Sequence, residues 1–81
     1  MSTSTTKPVR QTIGANVRRL MAVRGMNQAA LAKASGENEM YVSRVCRGVV
    51  EPSASKLHRI AVALRVKMEF LLKSENVADS D

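Results

Sequence analysis

The side chains best suited to chemistry fall in one short stretch, Asn38 to Arg47, which reads NEMYVSRVCR. On a helix, Glu39, Met40, Ser43, Arg44 and Arg47 lie on the side away from Val42 and Val45. They offer a carboxylate, a thioether, a hydroxyl and two guanidinium groups. Such a set makes hydrogen bonds and ion pairs with a polar surface, and it is not a catalytic centre. The one histidine, His58, and the one cysteine, Cys46, fall in different predicted helices with no third catalytic partner. Cys46 is expected in the core and His58 partly exposed. No serine sits in a nucleophile motif. The four glycines read as turns, caps and one helix-interior site, not as a phosphate-binding loop. A single cysteine permits neither an intrachain disulfide nor a metal-ligand cluster. The expectation is a protein that is not an enzyme and carries no metal or cofactor.

The elements that must hold this face are two helices and a turn. Residues 27–47 predict a short helix, a tight turn at Ser35-Gly36-Glu37, and a second helix. Asn27 can cap the first helix, because its side-chain oxygen accepts from the free N–H groups of the first turn. Leu31 and Ala32 point inward, and small Ala32 lets the helices cross closely. Gly36 reaches positive φ without penalty at the turn. Asn38 caps the second helix, whose Val42 and Val45 share an apolar face. This is the layout of a helix-turn-helix, whose second helix lies in the DNA major groove.

The rest of the chain supports that unit. A first helix is predicted from Val9 to Arg24, with Val9, Ile13, Val17, Leu20 and Met21 forming an apolar stripe. Arg10, Arg18, Arg19 and Arg24 lie largely off the stripe. Gly14 weakens this helix by roughly 1 kcal/mol relative to Ala and permits a close backbone contact. Gly25 ends it in a left-handed cap, and Met26 packs back inward. Gly48 is a second stop. After the loop Val49-Val50-Glu51-Pro52, Ser53 caps a fourth helix that presents Leu57, Ile60, Ala61 and Leu64. A fifth, about residues 67–73, offers Val66, Met68, Phe70, Leu71 and Leu72 to close the core. Residues 1–8, mostly Ser and Thr, read as a disordered arm in which Lys7, with Arg10 beyond Pro8, either reaches along DNA or is a solvated tail. Residues 74–81 form an acidic tail (Glu75, Asp79, Asp81). Residues 9–73 are the folded domain.

Composition agrees. The chain has 81 residues, enough for one small domain. It is 44% hydrophobic and only 2% aromatic, so the core must be aliphatic. The net charge of +6 favours a polyanionic partner, and the scarcity of stacking aromatics argues against a single-strand reader. No apolar run approaches the roughly 20 residues that span a bilayer, and no signal peptide is evident. The expected location is the cytoplasm, on the nucleoid through DNA.

From about Ile13 to Leu72 the chain resembles the Cro/repressor-type (lambda repressor-like, XRE-type) helix-turn-helix family. Ile13-Gly14 with Val17, Arg18 and Leu20 is similar to the family's first helix. Gly25-Met26-Asn27-Gln28 with Leu31-Ala32 and Gly36 is similar to its second helix and turn. Val42-Ser43-Arg44 with Arg47-Gly48 and Pro52 is similar to the recognition helix and its exit. Leu57, Ile60-Ala61, Ala63-Leu64, Val66 and Phe70-Leu71 match the closing helices. The resemblance implies an all-α fold, a compact five-helix domain. Two positions depart from the pattern. Where the family often pairs an Arg with a Glu, this chain has Met21 and Cys46, which read as an apolar substitute for a buried ion pair. Where the family usually has Gly after the fourth helix, this chain has Arg65, so that helix is expected to end differently or to run longer.

The resemblance also implies roles. Gln28, at a helix N-terminus, is placed on a phosphate, and Asn27 serves as cap first and phosphate contact second. Arg44 is the best candidate to read a base, because a guanidinium bridges guanine O6 and N7. Glu39 can accept from a cytosine amino group, Met40 can lie against a thymine methyl, and Ser43 can reach bases. Asn38, Tyr41 and Arg47 are expected nearer the phosphates. Glu37 and Glu39 read either as acids that disfavour unselected sequences or as helix-start charges.

One recognition helix reads few base pairs, so a homodimer on an inverted repeat is expected, with half-sites about 34 Å apart. Val49 and Val50 are the first candidates for the subunit contact, unless they tuck into the core; the fifth helix is the other. Double-stranded DNA is the expected partner, no small-molecule ligand is evident, and a protein co-regulator is compatible. The function expected is a transcriptional regulator, foremost a repressor that occludes a promoter, as phage and plasmid regulators do. The alternative is an antitoxin-type module that neutralises a partner protein and autoregulates its operon. The shortness of residues 74–81 weighs against it.

Overall fold

The computed structural model describes residues 8–73, and these form five helices and no strand. They are α1 (Val9–Arg24), α2 (Gln28–Ser35), α3 (Glu39–Arg47), α4 (Ala54–Leu64) and α5 (Met68–Leu72). The arm and the acidic tail predicted from the sequence lie outside the described residues, apart from Pro8.

Local chemistry sets the boundaries. Asn27 Oδ1 accepts from the Ala30 N–H at 2.8 Å and Asn38 Oδ1 from the Tyr41 N–H at 2.7 Å. Ser53 Oγ accepts from the Lys56 N–H at 3.4 Å. Each satisfies a first-turn donor that the helix itself leaves unpaired. Gly36 follows α2 at φ 78°, and the next N–H, that of Glu37, returns to the Ala32 carbonyl at 3.0 Å.

Arg65 corrects the sequence-based expectation. The fourth helix stops at Leu64, where a glycine would stop it, and Arg65 itself adopts φ 64°. Two hydrogen bonds hold this left-handed residue: its N–H donates to Val62 O and the Val66 N–H to Ala61 O, each at 3.0 Å. That is the doubly bonded Schellman end. Arg24 of α1 adds a third contact, with Nε donating to Leu64 O at 2.9 Å. The carbonyls of the last turn thus gain partners that offset the cost of a side chain at positive φ.

The core is aliphatic. Ile13, Val17, Leu31, Val42, Val45, Ile60, Leu64 and Leu71 are fully buried. The stripe on α1 begins at Ile13: Val9 is 47% exposed and takes no part in the core. On α5 only Leu71 is buried, with Met68 and, just before the helix, Val66 packed partly against the core. Phe70 and Leu72 are 42% and 46% exposed, so they do not close the core as expected. The short helix has one turn and a half, and a single inward position is all it can use.

α1 packs on α3 and α5, while α2 packs on α3 and α4. Gly14 makes the α1–α3 approach possible. A Cβ built there would lie 2.6 Å from Val45 O and 2.9 Å from Cys46 O. Next to this contact Cys46 Sγ lies 3.7 Å from Met21 Sδ, both side chains buried. The apolar pair expected from the sequence is therefore present, and burial pushes the Cys46 thiol pKa up.

Asn16 was not singled out from the sequence. It is 3% exposed, and its Nδ2 donates to Leu71 O and Lys73 O at 2.8 Å each and to Phe70 O at 3.4 Å. One α1 amide thereby satisfies the end of α5, whose last carbonyls have no helical partner.

Candidate nucleic-acid interface

Helix α3 is anchored by one face and open on the other. Val42, Val45 and Cys46 are buried. Glu39, Arg44, Arg47 and Met40 are exposed, Met40 by 62%, and Ser43 is half-buried. The base-reading set predicted from the sequence therefore shares one side of one helix. Glu39 sits in the first turn, where the helix dipole favours a carboxylate, and Arg44 and Arg47 sit in the last, where it favours cations. The Arg47 Nε donates to Ser43 O at 3.4 Å, which holds its side chain along the helix.

The remaining predicted residues divide between two helix starts and a loop. Asn27 and Asn38 are exposed, and both side chains serve as caps. Gln28 opens α2 and is half-buried. In the α3–α4 loop Val49 is 56% exposed, whereas Val50 is half-buried and packs on the core. The two valines thus separate: one is tucked in and one faces outward.

Tyr41 is also half-buried, and the reason lies on α4. The Lys56 ammonium stands 4.4 Å from the centre of the Tyr41 ring. The same ammonium is 3.5 Å from Glu37 Oε1, and Arg59 Nη2 donates to Glu37 Oε2 at 2.5 Å. The Glu37 side chain is only 7% exposed. Its pKa is lowered, chiefly by the hydrogen bond from Arg59, against a smaller opposing effect of burial. Burial, then the Glu37 charge, pushes the Tyr41 phenol up. Glu37 does not present an open carboxylate to the outer side of α3, because cations from α4 enclose it.

Arg18 is a second feature that the sequence reading passed over. Its Nη1 donates to Cys46 O at the end of α3. Gln11, Ala15, Arg18, Arg47 and Gly48 line a shallow polar hollow there. A signal for this existed: Arg18 follows Gly14 by four residues, so it shares the face of α1 that touches α3.

Three helices around a crossing pair, α2 and α3, with the second of the pair exposed along a polar and basic side, define a helix-turn-helix protein built to meet DNA. Among the described residues no helix is long and apolar enough to cross a membrane. A family model described as helix-turn-helix matches residues 17–71. The chain belongs to this family, the Cro/repressor type, whose members are DNA-binding transcriptional regulators. No curated protein sequence matches the chain.

Solved structures agree with the fold. The restriction-modification controller protein C.AhdI of Aeromonas hydrophila is 31% identical, with a TM-score of 0.73 over 76% of this chain and 94% of that one. The clp gene regulator ClgR of C. glutamicum is 27% identical, with a TM-score of 0.80 over 93% and 97%. The DNA-binding domain of the P22 C2 repressor is 25% identical, with a TM-score of 0.74 over 85% and 90%.

Proposed function

We propose that the protein is a transcriptional repressor that binds an inverted-repeat operator as a homodimer and blocks access of RNA polymerase to the promoter. The observation that carries this reading is the open face of α3, with Glu39, Met40, Arg44 and Arg47 exposed on a helix anchored by Val42 and Val45. In this reading Arg44 reads guanine, Glu39 accepts from cytosine, and Met40 and Ser43 complete the base contacts. Gln28 with the N-terminus of α2, together with Asn27, Asn38, Tyr41 and Arg47, positions the domain on the phosphates.

Dimerisation supplies the second half-site. Exposed Val49 supports the loop as a contact, and Phe70 and Leu72 offer a larger apolar surface on α5. Val50 packs on its own core and contributes less.

The test is selection from a randomised duplex pool, followed by titration of the winner against scrambled DNA at several salt concentrations. An inverted repeat and a specific-to-non-specific ratio of at least about 10³ are expected. Recovery of no consensus, with affinity that simply collapses as salt rises, would overturn the operator reading.

A further inference from the structure

We propose that Glu37 limits the salt-dependent, sequence-independent affinity for DNA by withholding Lys56 and Arg59 from the phosphate backbone. The inference rests on the DNA-binding reading above and adds to it a residue that touches no base. Lys56 and Arg59 are the α4 cations nearest the recognition helix, since the Lys56 ammonium lies over the Tyr41 ring of α3. Their side chains are 41% and 48% exposed, so solvent, and any anion in it, reaches them.

A duplex seated on α3 brings phosphates within a screening length of both, about 8–10 Å at ordinary salt. Yet both already share one carboxylate, at 3.5 and 2.5 Å, and that carboxylate is almost wholly enclosed. The turn that carries it is held by the Glu37 N–H bond to Ala32 O at 3.0 Å, and the enclosure of the side chain keeps the carboxylate beside them. A phosphate therefore competes for these cations against a permanent intramolecular anion. Two cations and one anion leave the group with a net charge of +1, not +2.

The consequence falls on the phosphate term of binding. Binding to unselected sequence depends almost entirely on phosphate neutralisation and counterion release. Binding to the operator draws also on base contacts from the open side of α3, which this cluster does not touch. Holding two cations back thus removes up to two phosphate contacts from that sequence-independent term.

The experiment measures affinity for a random-sequence duplex between about 50 and 200 mM salt, using wild type, E37Q, R59Q, K56Q/R59Q and E37Q/K56Q/R59Q. Each newly engaged phosphate steepens the plot of log affinity against log salt by about 0.9. E37Q is expected to steepen it by about 0.9 to 1.8, so the fall in affinity across this fourfold range grows by about 3- to 12-fold. R59Q is expected to keep the wild-type slope, because Arg59 is bound to Glu37 at 2.5 Å and not to a phosphate. In the K56Q/R59Q background E37Q is expected to change nothing.

An E37Q slope equal to wild type would overturn the proposal, as would a steepening that persists without the two cations. Should circular dichroism show E37Q unfolded, R59Q decides: a slope shallower by about 0.9 means that Arg59 already holds a phosphate, and the proposal fails. Wild-type protein that binds no duplex at all would overturn the DNA-binding reading itself.

Discussion

Substituting Gly14 by Ala tests whether the close approach of α1 to the recognition helix organises this domain. Gly14 lies inside α1, where an alanine ordinarily stabilises a helix by about 0.8–1 kcal/mol. At this position the added Cβ would lie 2.6 Å from Val45 O, 2.9 Å from Cys46 O and 3.2 Å from Gly48 N. Ordinary contact starts near 3.4 Å, so the Val45 carbonyl must retreat by 0.8 Å (3.4 less 2.6). All three neighbours are backbone atoms, and no flexible side chain can swing aside. Overpacking of this kind costs about 1–3 kcal/mol, and a rigid backbone neighbour places it near the top of that range. Set against the propensity gain, the net destabilisation is about 2 kcal/mol. For a domain of this size that lowers Tm by roughly 8–16 °C. The assay is thermal and urea unfolding of Gly14→Ala beside Ala22→Gly, an exposed site on the same helix. Both substitutions are expected to destabilise, one by adding a methyl group and the other by removing one. A Gly14→Ala protein as stable as wild type, or more so, would refute the reasoning.

Further substitutions probe the other contacts. Arg65→Gly is expected to raise stability by up to about 1 kcal/mol, because it removes a side chain from φ 64° while keeping both cap hydrogen bonds; a lower urea midpoint would show that the Arg65 side chain itself stabilises the turn. Asn16→Ala is expected to lose about 1–3 kcal/mol by leaving the Leu71 and Lys73 carbonyls short of a donor, with hydrogen exchange rising first in α5; unchanged protection there would count against the contact. Cys46→Ser is expected to destabilise more than Cys46→Ala, because it sets a hydroxyl beside the Met21 thioether in a buried site; unfolding midpoints in the reverse order would exclude the apolar reading of that pair. The lowered pKa of Glu37 fixes the sign of an acid effect. A carboxyl held below its ordinary value of 4.5 contributes stability above that value and loses it as pH falls through the folded-state pKa. The stability difference between wild type and E37Q is therefore expected to be full at neutral pH and to shrink below about pH 4.5; a difference independent of pH would exclude the ion pair as its source.

Much of the fold was legible because its signals are local. A cap needs one polar side chain and an N–H three residues on, so Asn27, Asn38 and Ser53 announce α2, α3 and α4. The inward valines of α3 follow from helical period alone, and once they are placed the outward set around Arg44 follows too. Gly14 signalled close approach because a glycine inside a helix needs a reason. Val9, Phe70 and Leu72 misled for a related cause. Apolar type marks a residue that can be buried, but the ends of α1 and the short α5 have no partner surface to bury it.

By itself, then, the sequence determined the five helices, the turn that makes two of them a helix-turn-helix, and which side of α3 faces outward. Each of these depends on residues within a few positions of one another. Tertiary structure alone decided the long-range polar contacts. Arg59 reaches Glu37 across 22 positions, Arg18 reaches Cys46 O across 28, and Asn16 reaches Leu71 O across 55. Nothing in the local pattern selects these partners. They follow from the angles at which the helices cross, and those angles are set by the packing of the whole core. Arg65 belongs with them. Its residue type argues against positive φ, and only the bonds to Ala61, Val62 and Leu64 carbonyls from three separate donors make that conformation the stable one.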